Sequence, residues 1–329
     1  MTIRNDDEFK ASLKWPLLFS KTATRTTVAL SPFTVFDLAG QPGAGTLAVG
    51  NTANGIVYTK ATAGFPSFPD APAGKGWWLA MMDGQSSVAG QRDIYDFIFS
   101  TGAHAFNANQ TLTAQPSIDD RLRVAPPHAV LTAFNAGDTI TSGSAPIKAY
   151  VCTVGGVSGA ASAPNTTGSA IVDGTCTWQY QGNGLNYANL EILVEEVAAG
   201  TGNQSVSVGY STMADYGVTL TTTRSSGAQG IGAALIAGRC FRLPLQSGDK
   251  NIARLDSIIG TVATVGTFNV HLVRKITSHQ AFNSPFSEVR GYDRTGLAYI
   301  PNNAALREVQ TLGGNTSATL PVTLTLAQG

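Results

Sequence analysis

The sequence predicts a mainly β protein, built as two β-sandwich or jelly-roll-like lobes with a small inserted β module and a short N-terminal arm. Three observations carry this prediction. Only 13% of the 329 residues are charged, about half the usual share, and 36 residues are glycine. Threonine-rich stretches favour strands, whereas glycine and asparagine favour tight turns. Alternating segments recur at roughly 8–12-residue spacing with turn signals between them, which is typical of sandwiches and jelly rolls.

Residues 1–23 are predicted to form the N-terminal arm. Asn5 or Asp6 can cap a short helix that runs through Phe9 and Leu13 until Pro16 ends it. We expect this arm to dock on the body of the protein or on a neighbouring subunit.

Residues 24–134 are predicted to form the first lobe. The stretches WWLAMMDG (77–84) and RDIYDFIFS (92–100) are apolar on both faces in places, which indicates buried strands. The many glycines and prolines between residues 40 and 76 predict long loops.

Three further segments complete the predicted organisation. Residues 135–184 are nearly free of charge and rich in Gly, Ser, Thr and Ala, which predicts the inserted module. Residues 185–290 form the second lobe, in which LEILVEEV (190–197) fits both the strand and the helix period. Residues 291–329 form an extension ending in LPVTLTL (320–326), a strictly alternating strand that can complete its own sheet or add to a neighbour's edge.

One internal similarity links the two lobes. The segments starting at Leu79 and Leu255 align without gaps, so that Gly84 matches Gly260 and Gly90 matches Gly266. Both segments predict a strand, a glycine-bounded turn and a second strand. Two readings stay open: a duplicated sandwich, or the general resemblance of any two hairpins.

The charge balance argues against a nucleic-acid partner. The 21 Lys and Arg residues equal the 21 Asp and Glu residues, and no basic run occurs, whereas nucleic-acid binders carry a basic surplus or patch. A weakly charged surface without net charge favours association with other proteins.

No apolar run is long enough to cross a membrane, and the polar start MTIRNDDEFK does not resemble a secretion signal, so we expect synthesis in a cytoplasm.

The residues that could do chemistry predict neither an enzyme nor a metal or cofactor site. None of the four histidines has metal-ligand spacing, and His271 is expected to be exposed or interfacial. The glycine-rich stretches lack the phosphate-loop pattern. Several carboxylates cluster in the sequence and are expected to be solvated: Asp83, Asp93, Asp96, Glu195 and Glu196. Asp119, Asp120 and Arg121 are expected to form a turn with a local ion pair.

The three cysteines do not indicate a disulfide framework, because their number is small and odd. Cys152 and Cys176 can pair if they lie on neighbouring strands, but buried free thiols are the favoured reading. Cys240 lies between Arg239 and Arg242, which can lower a thiol pKa, yet its apolar strand predicts a buried structural thiol.

Aromatic residues give the alternative of a glycan or partner contact. Trp178 and Tyr180 share one strand face of the module and could stack on sugar rings. The competing interpretation is that this pair forms the core of a very small module. Trp77 and Trp78 adjoin a predicted buried strand, so at least one of them is expected in the core.

The module resembles a short unit found in many tailed-phage virion proteins. The resemblance rests on GDTITSG (137–143), AYVCTVGGVSGAASAPNTTG (149–168) and IVDGTCTWQYQG (171–182). The matching residues are Tyr150, Val151, Cys152, Pro164, Asp173, Gly174, Thr175, Thr177 and Trp178. The flanking stretches NTANGIVYTKATAGFPSF, FRLPLQSGDKNIARLDSIIGTVATVGTFNVHLVR and YDRTGL are also similar to virion structural proteins of tailed phages.

This resemblance implies a virion location and a structural role, without catalytic residues. It implies that the chain decorates or stabilises the capsid through contacts with major capsid, neck or tail proteins, as a homo-oligomer such as a trimer. The alternatives are a collar, tail or fibre-attachment protein, or a receptor- or glycan-binding module on the particle surface. A glycan-degrading enzyme is the least favoured alternative.

Overall fold

A computed structural model gives the fold of the chain, which is mainly β with several antiparallel sheets. It describes residues 6–50, 53–106, 109–112, 119–142, 146–161, 163–198, 204–213, 224–227, 229–231, 236–260, 265–281, 287–291, 295 and 297–329.

Short strands dominate the described ranges, as the composition predicts. The helices are α1 (Asp6–Ala11) and α2 (Asp119–Leu122). The strands, in chain order, are β1 (Lys14–Lys21), β2 (Phe33–Thr34), β3 (Gly40–Gln41), β4 (Trp77–Gln85), β5 (Gly90–Ala105), β6 (Asn109–Thr111), β7 (Ala133–Phe134), β8 (Thr139–Thr141), β9 (Lys148–Val154), β10 (Gly156–Val157), β11 (Ile171–Asp173), β12 (Cys176–Asn183), β13 (Leu190–Ala198), β14 (Gln204–Ser211), β15 (Arg224–Ser225), β16 (Gln229–Ile231), β17 (Cys240–Leu243), β18 (Arg254–Gly260), β19 (Thr267–Ala281), β20 (Ser287–Arg290), β21 (Tyr299–Ile300), β22 (Leu306–Leu312) and β23 (Val322–Gln328).

The middle of the protein is a six-stranded sheet that closes on itself, which we call the closed sheet. Its strand order is β17-β13-β19-β5-β22-β2. The two ends of this order meet because Thr34 N donates to Gly238 O at 2.7 Å and Cys240 N donates to Pro32 O at 2.8 Å. These bonds flank an antiparallel bridge between Phe33 and Arg239. The closed sheet therefore has an interior as well as an outer surface.

Two further sheets cover the closed sheet. The first outer sheet has the order β20-β4-β23-β1-β3, with β21 also paired to β4. The second outer sheet has the order β15-β14-β18-β6, with β16 also paired to β14. Each outer sheet packs its apolar face against the closed sheet, so the protein consists of two sandwiches that share their middle layer.

Alternation along the strands separates the cores. In β19, Val270 and Leu272 face the second outer sheet, whereas Val273 faces the interior of the closed sheet. Successive side chains of a strand point to opposite faces, so one strand serves two cores. A third core joins the first outer sheet to the closed sheet and includes Leu17 and Leu324.

The aligned segments occupy equivalent places in this architecture. β4 lies in the first outer sheet and leads into β5 of the closed sheet, while β18 lies in the second outer sheet and leads into β19. β5 and β19 pair antiparallel along almost their whole length. Gly90 and Gly266 both have positive φ, 152° and 121°, at the turns that carry the chain between sheets. The matched glycines thus serve the same crossing in both segments.

The predicted segment boundaries do not correspond to separate sheets. β5 and β19 come from different predicted lobes yet pair with each other, and β22 of the predicted extension pairs with β5. Helix α1 ends at Ala11, and β1 then includes Pro16, so the second half of the predicted arm is a strand between β23 and β3. Burial of apolar side chains holds these distant segments together, and the local sequence does not show which segments pair.

The C-terminal strand completes a sheet of its own chain. β23 pairs with β1 on one side and β4 on the other, and Val322, Leu324 and Leu326 are fully buried, as the alternation predicts.

LEILVEEV forms strand β13 and not a helix. No helix within the described part of the chain has the length and apolar character needed to span a membrane.

The segment predicted as an inserted module has its own sheets and core. Its four-stranded sheet has the order β11-β12-β9-β8, and β10 pairs with β7 beside it. Its core contains Phe134, Ile140, Tyr150, Cys152, Cys176 and Trp178. His128 and the strand β7 also pack on this unit, so its first contacts lie on the N-terminal side of residue 135.

Candidate functional site

The interior of the closed sheet contains charged residues at two levels. One level, the sealed end, is covered by the loops that carry Phe36, Leu47 and Tyr58. The other level, the open end, forms a cavity that reaches solvent beside Arg242. Both levels are built by inward-facing positions of β5, β13, β17, β19 and β22.

A buried hydrogen-bond network occupies the sealed end. Ser100 Oγ lies 2.7 Å from His271 Nδ1, and His271 Nε2 lies 3.1 Å from Glu195 Oε2. Asn269 Nδ2 donates to the same carboxylate oxygen at 3.2 Å. Arg307 donates to the second oxygen, Glu195 Oε1, so hydrogen-bond donors surround the buried carboxylate.

The network fixes the charges of its members. Burial by itself raises the pKa of Glu195, but the Arg307 charge and the hydrogen bonds from His271 and Asn269 outweigh it and hold this pKa at about 2. Burial lowers the pKa of His271, so its imidazole is neutral at pH 7. The sealed end therefore holds one compensated ion pair and a neutral histidine.

The order Ser100, His271, Glu195 resembles the relay of a serine hydrolase, but its surroundings differ. A nucleophilic serine must reach a substrate carbonyl beside oxyanion donors. Ser100, His271 and Glu195 are each fully buried, and the Phe97 ring packs edge-on against the imidazole. The arrangement is thus suited to hold the strands of the closed sheet together.

Several expectations about charged residues are wrong. His271 is buried, not exposed, and Asp93, Asp96, Glu195 and Glu196 are buried, not solvated. The reason is that a closed sheet has an interior, so a polar position opposite an apolar one can face inward. Arg121 pairs with Asp96, whereas the side chains of Asp119 and Asp120 lie outside the described residues, so the expected local ion pair stays a prediction.

Glu196 lies outside this network and is poorly compensated. Its Oε2 accepts a hydrogen bond from Ile236 N at 2.9 Å, whereas its Oε1 has no partner among the described residues. Burial raises the pKa of Glu196 to about 7. This carboxyl changes charge near neutral pH.

The open end of the closed sheet is a cavity of about 350 Å³. Asp93 forms its polar wall and is almost fully buried. Its Oδ1 accepts from Ser278 Oγ at 2.5 Å, Gln91 Nε2 at 2.6 Å and Lys275 Nζ at 2.8 Å. The other lining residues are Pro32, Gln91, Cys240, Phe241, Arg242 and Thr311.

Arg242 connects the wall of the cavity to its rim. Its Nη2 lies 3.1 Å from Asp93 Oδ2, its Nε lies 3.1 Å from Glu191 Oε2, and it donates to the Tyr95 hydroxyl. Its guanidinium also lies over the Tyr95 ring, 5.6 Å from the centroid. In the sequence, Arg242 lies two residues after Cys240 on a short strand, so the two side chains share one face. Because Cys240 is predicted to be buried, this spacing is the signal that could have indicated a charged residue inside the protein.

The aromatic pair of the module does not form a contact surface. Trp178 is fully buried; its Nε1 donates to Asp173 Oδ2 at 3.2 Å, and its ring packs edge-on against Phe134 at 5.0 Å. Tyr180 is partly buried beside Tyr150 at 6.0 Å. The alternative that Trp178 stacks on a sugar is therefore wrong, and the competing interpretation, that its ring forms part of the core of the module, is confirmed.

The cysteines are buried free thiols, as predicted. Burial raises the pKa of Cys152 to about 11, and it also raises the pKa of Cys176. Burial raises the pKa of Cys240 at the base of the open end, despite the charge of Arg307 nearby. All three thiols are therefore protonated at neutral pH and are poor nucleophiles.

A second surface feature runs along the edge of β1. β3 pairs only with Ser20 and Lys21, and no other described strand pairs with this side of Lys14–Phe19. Leu13, Trp15 and Leu18 are exposed there. A groove of about 400 Å³ lies between this edge and the loops at residues 41–43 and 65–67. Trp15 and Leu18 line this groove, and Leu13 directly precedes β1. We call the groove together with these three exposed side chains the β1 edge surface.

Comparison with known proteins completes the description of these sites. Within the described ranges, no group of three or more His, Cys, Asp or Glu side chains is arranged to hold a metal ion. No protein-family model, no curated protein and no solved structure matches the chain.

Proposed function

We propose that the chain is a structural component of a tailed-phage virion that decorates or stabilises the capsid through protein–protein contacts. The phage origin rests on the sequence resemblance of the module and its flanks. The observation that supports a role in assembly is the β1 edge surface, where three large apolar side chains lie beside an unpaired strand edge. Exposed apolar groups of this kind mark sites of association.

Pro16 at the centre of this edge defines how a partner would bind. A proline lacks the backbone N–H, so it interrupts continuous strand pairing and is typical of edge strands. Contacts would therefore come mainly from side chains that enter the groove beside Trp15 and Leu18. The partner is a second copy of this chain in a symmetric oligomer, with a trimer as the favoured state.

The mass of the purified protein in solution, measured by light scattering, tests the oligomer. We expect a trimer or another defined oligomer, and a Trp15→Ser, Leu18→Ser double variant should shift the mass toward the monomer. Val265→Ser is the matched control, because Val265 is also exposed but lies away from this edge. A parent protein that is monomeric at all concentrations would contradict self-association through this surface.

The virion assignment has its own test. Mass spectrometry of purified particles of the encoding phage should detect the chain, and its copy number should distinguish the alternatives. Hundreds of copies indicate a capsid protein, whereas 3, 6 or 12 copies indicate a collar, tail or fibre-attachment protein. Absence of the chain from particles would overturn the assignment.

A further inference from the structure

The open end of the closed sheet has the properties of a ligand site. Its volume of about 350 Å³ is near the lower limit of small-molecule cavities, which span roughly 300–1,000 Å³. Cys240, one of its lining residues, belongs to the apolar cluster that also contains Tyr95 and Phe97. A cavity of this size that opens to solvent admits a single ring or the end of a chain.

The charges around the cavity balance each other. Arg242 and Lys275 are positive, Asp93 and Glu191 are negative, and each cation lies 2.8–3.1 Å from a carboxylate. The negative charges of Glu191 and Asp93 beside Arg242 oppose an anionic ligand, and the positive charges of Arg242 and Lys275 beside Asp93 oppose a cationic ligand. The electrostatics therefore favour a neutral ligand.

The groups that face the cavity can hydrogen-bond in both directions. Thr311 Oγ1 can donate and accept, Gln91 Oε1 can accept, and Arg242 Nη1 can donate. Within the described part of the chain, none of these three atoms has a hydrogen-bond partner. Gln91 and Arg242 are held in place by Asp93, which pre-organises them. Neighbouring hydroxyl groups of a ligand match such a mixed set.

We propose that this cavity binds one neutral sugar ring, which enters as a monosaccharide or as the terminal residue of a glycan. Thr311, Gln91 and Arg242 bind the hydroxyl groups, and Asp93 positions Gln91 and Arg242. The site is separate from Trp178 and Tyr180 and does not depend on the oligomeric state or the virion assignment.

Saturation-transfer NMR on the full chain tests the proposal. The neutral probes are D-glucose, D-galactose and N-acetyl-D-glucosamine, and the charged probes are D-glucuronate and D-glucosamine. We expect binding of at least one neutral sugar with a higher affinity than that of either charged probe. A Thr311→Val, Arg242→Lys double variant keeps the charge and volume of the site and should weaken binding at least tenfold.

Controls make the outcome decisive. Thr177→Val changes a threonine on the outward face of the module and should leave binding unchanged, and thermal unfolding verifies that each variant is folded. If the double variant does not fold, Thr311→Val alone is the test. The proposal is overturned if no neutral sugar binds, if binding survives the substitutions, or if either charged probe binds more tightly than the neutral sugars.

Discussion

Arg307 donates to Glu195 inside the closed sheet, and the two residues belong to strands on opposite sides of it. The guanidinium carbon lies 4.2 Å from the centroid of the Phe36 ring and 4.6 Å from that of Phe97. Arg307 Nε also donates to Thr34 Oγ1 at 2.9 Å. One buried side chain thus joins β13, β22, β2 and a covering loop.

Arg307→Met should strongly destabilise the protein. The substitution leaves the Glu195 carboxylate buried without its positive partner, which costs about 3–5 kcal/mol of the free energy of unfolding. Urea denaturation measures this loss. Arg254→Met is the matched control, because the Arg254–Asp256 pair is partly exposed and contributes only about 0–1 kcal/mol. Equal effects of the two substitutions would contradict the proposed role of the buried pair.

Glu196→Gln should change how stability depends on pH. The folded-state pKa of Glu196, about 7, lies above that of an ordinary glutamate, so ionisation opposes folding. The stability that the protonated Glu196 carboxyl contributes is fully present below about pH 4.5 and is lost as the pH rises through 7. We expect the free-energy difference between variant and parent to shift by about 1–3 kcal/mol in favour of the variant between pH 5 and pH 8.

Chemical denaturation of both proteins at the two pH values measures this shift. Buried histidines such as His271 act in the opposite direction, because their lowered pKa makes folding less favourable at acid pH. Their effect cancels when the variant is compared with the parent at each pH. A difference that does not vary with pH would show that Glu196 keeps an ordinary pKa.

Trp178→Ala should unfold the module and not merely remove a surface contact. Deleting a fully buried indole costs about 3–5 kcal/mol, which is large for a core of six buried side chains. Limited proteolysis should then cleave within residues 135–184 while the closed sheet stays protected. Val172→Ala, at an exposed position of the same sheet, should leave the cleavage rate unchanged.

Gly90→Ala should disturb the crossing between the first outer sheet and the closed sheet. The Gly90 φ of 152° is unfavourable for other residues, and a Cβ there would overlap the Thr311 carbonyl and lie 2.6 Å from Leu312 Cα. We expect a loss of at least about 2 kcal/mol, measured by thermal unfolding. Gly50→Ala is the control, because it meets no atom within 4 Å and should be nearly neutral. A neutral Gly90→Ala would mean that this turn adapts.

The sequence by itself determined the mainly β class and the identity of many strands. Alternation identified Val322, Leu324 and Leu326 as one buried face, because a half-buried strand repeats every two residues. Turn-forming glycines indicated the turns at Gly90 and Gly266, but only the structure shows that the chain crosses there from one sheet to another. Burial of Cys240, and of at least one of Trp77 and Trp78, also followed from their apolar surroundings in the sequence.

Only the tertiary structure decided what lies inside the closed sheet. Glu195 and His271 occupy alternate strand positions that resemble a solvated face, and the sequence carries no sign that this face turns inward. Closure depends on the bonds of residues 32–34 with residues 238–240, about 200 positions apart, and no local pattern encodes a pairing of that separation. The sealed network and the open cavity arise from this closure, because it brings Asp93, Arg242 and Thr311 together from three strands.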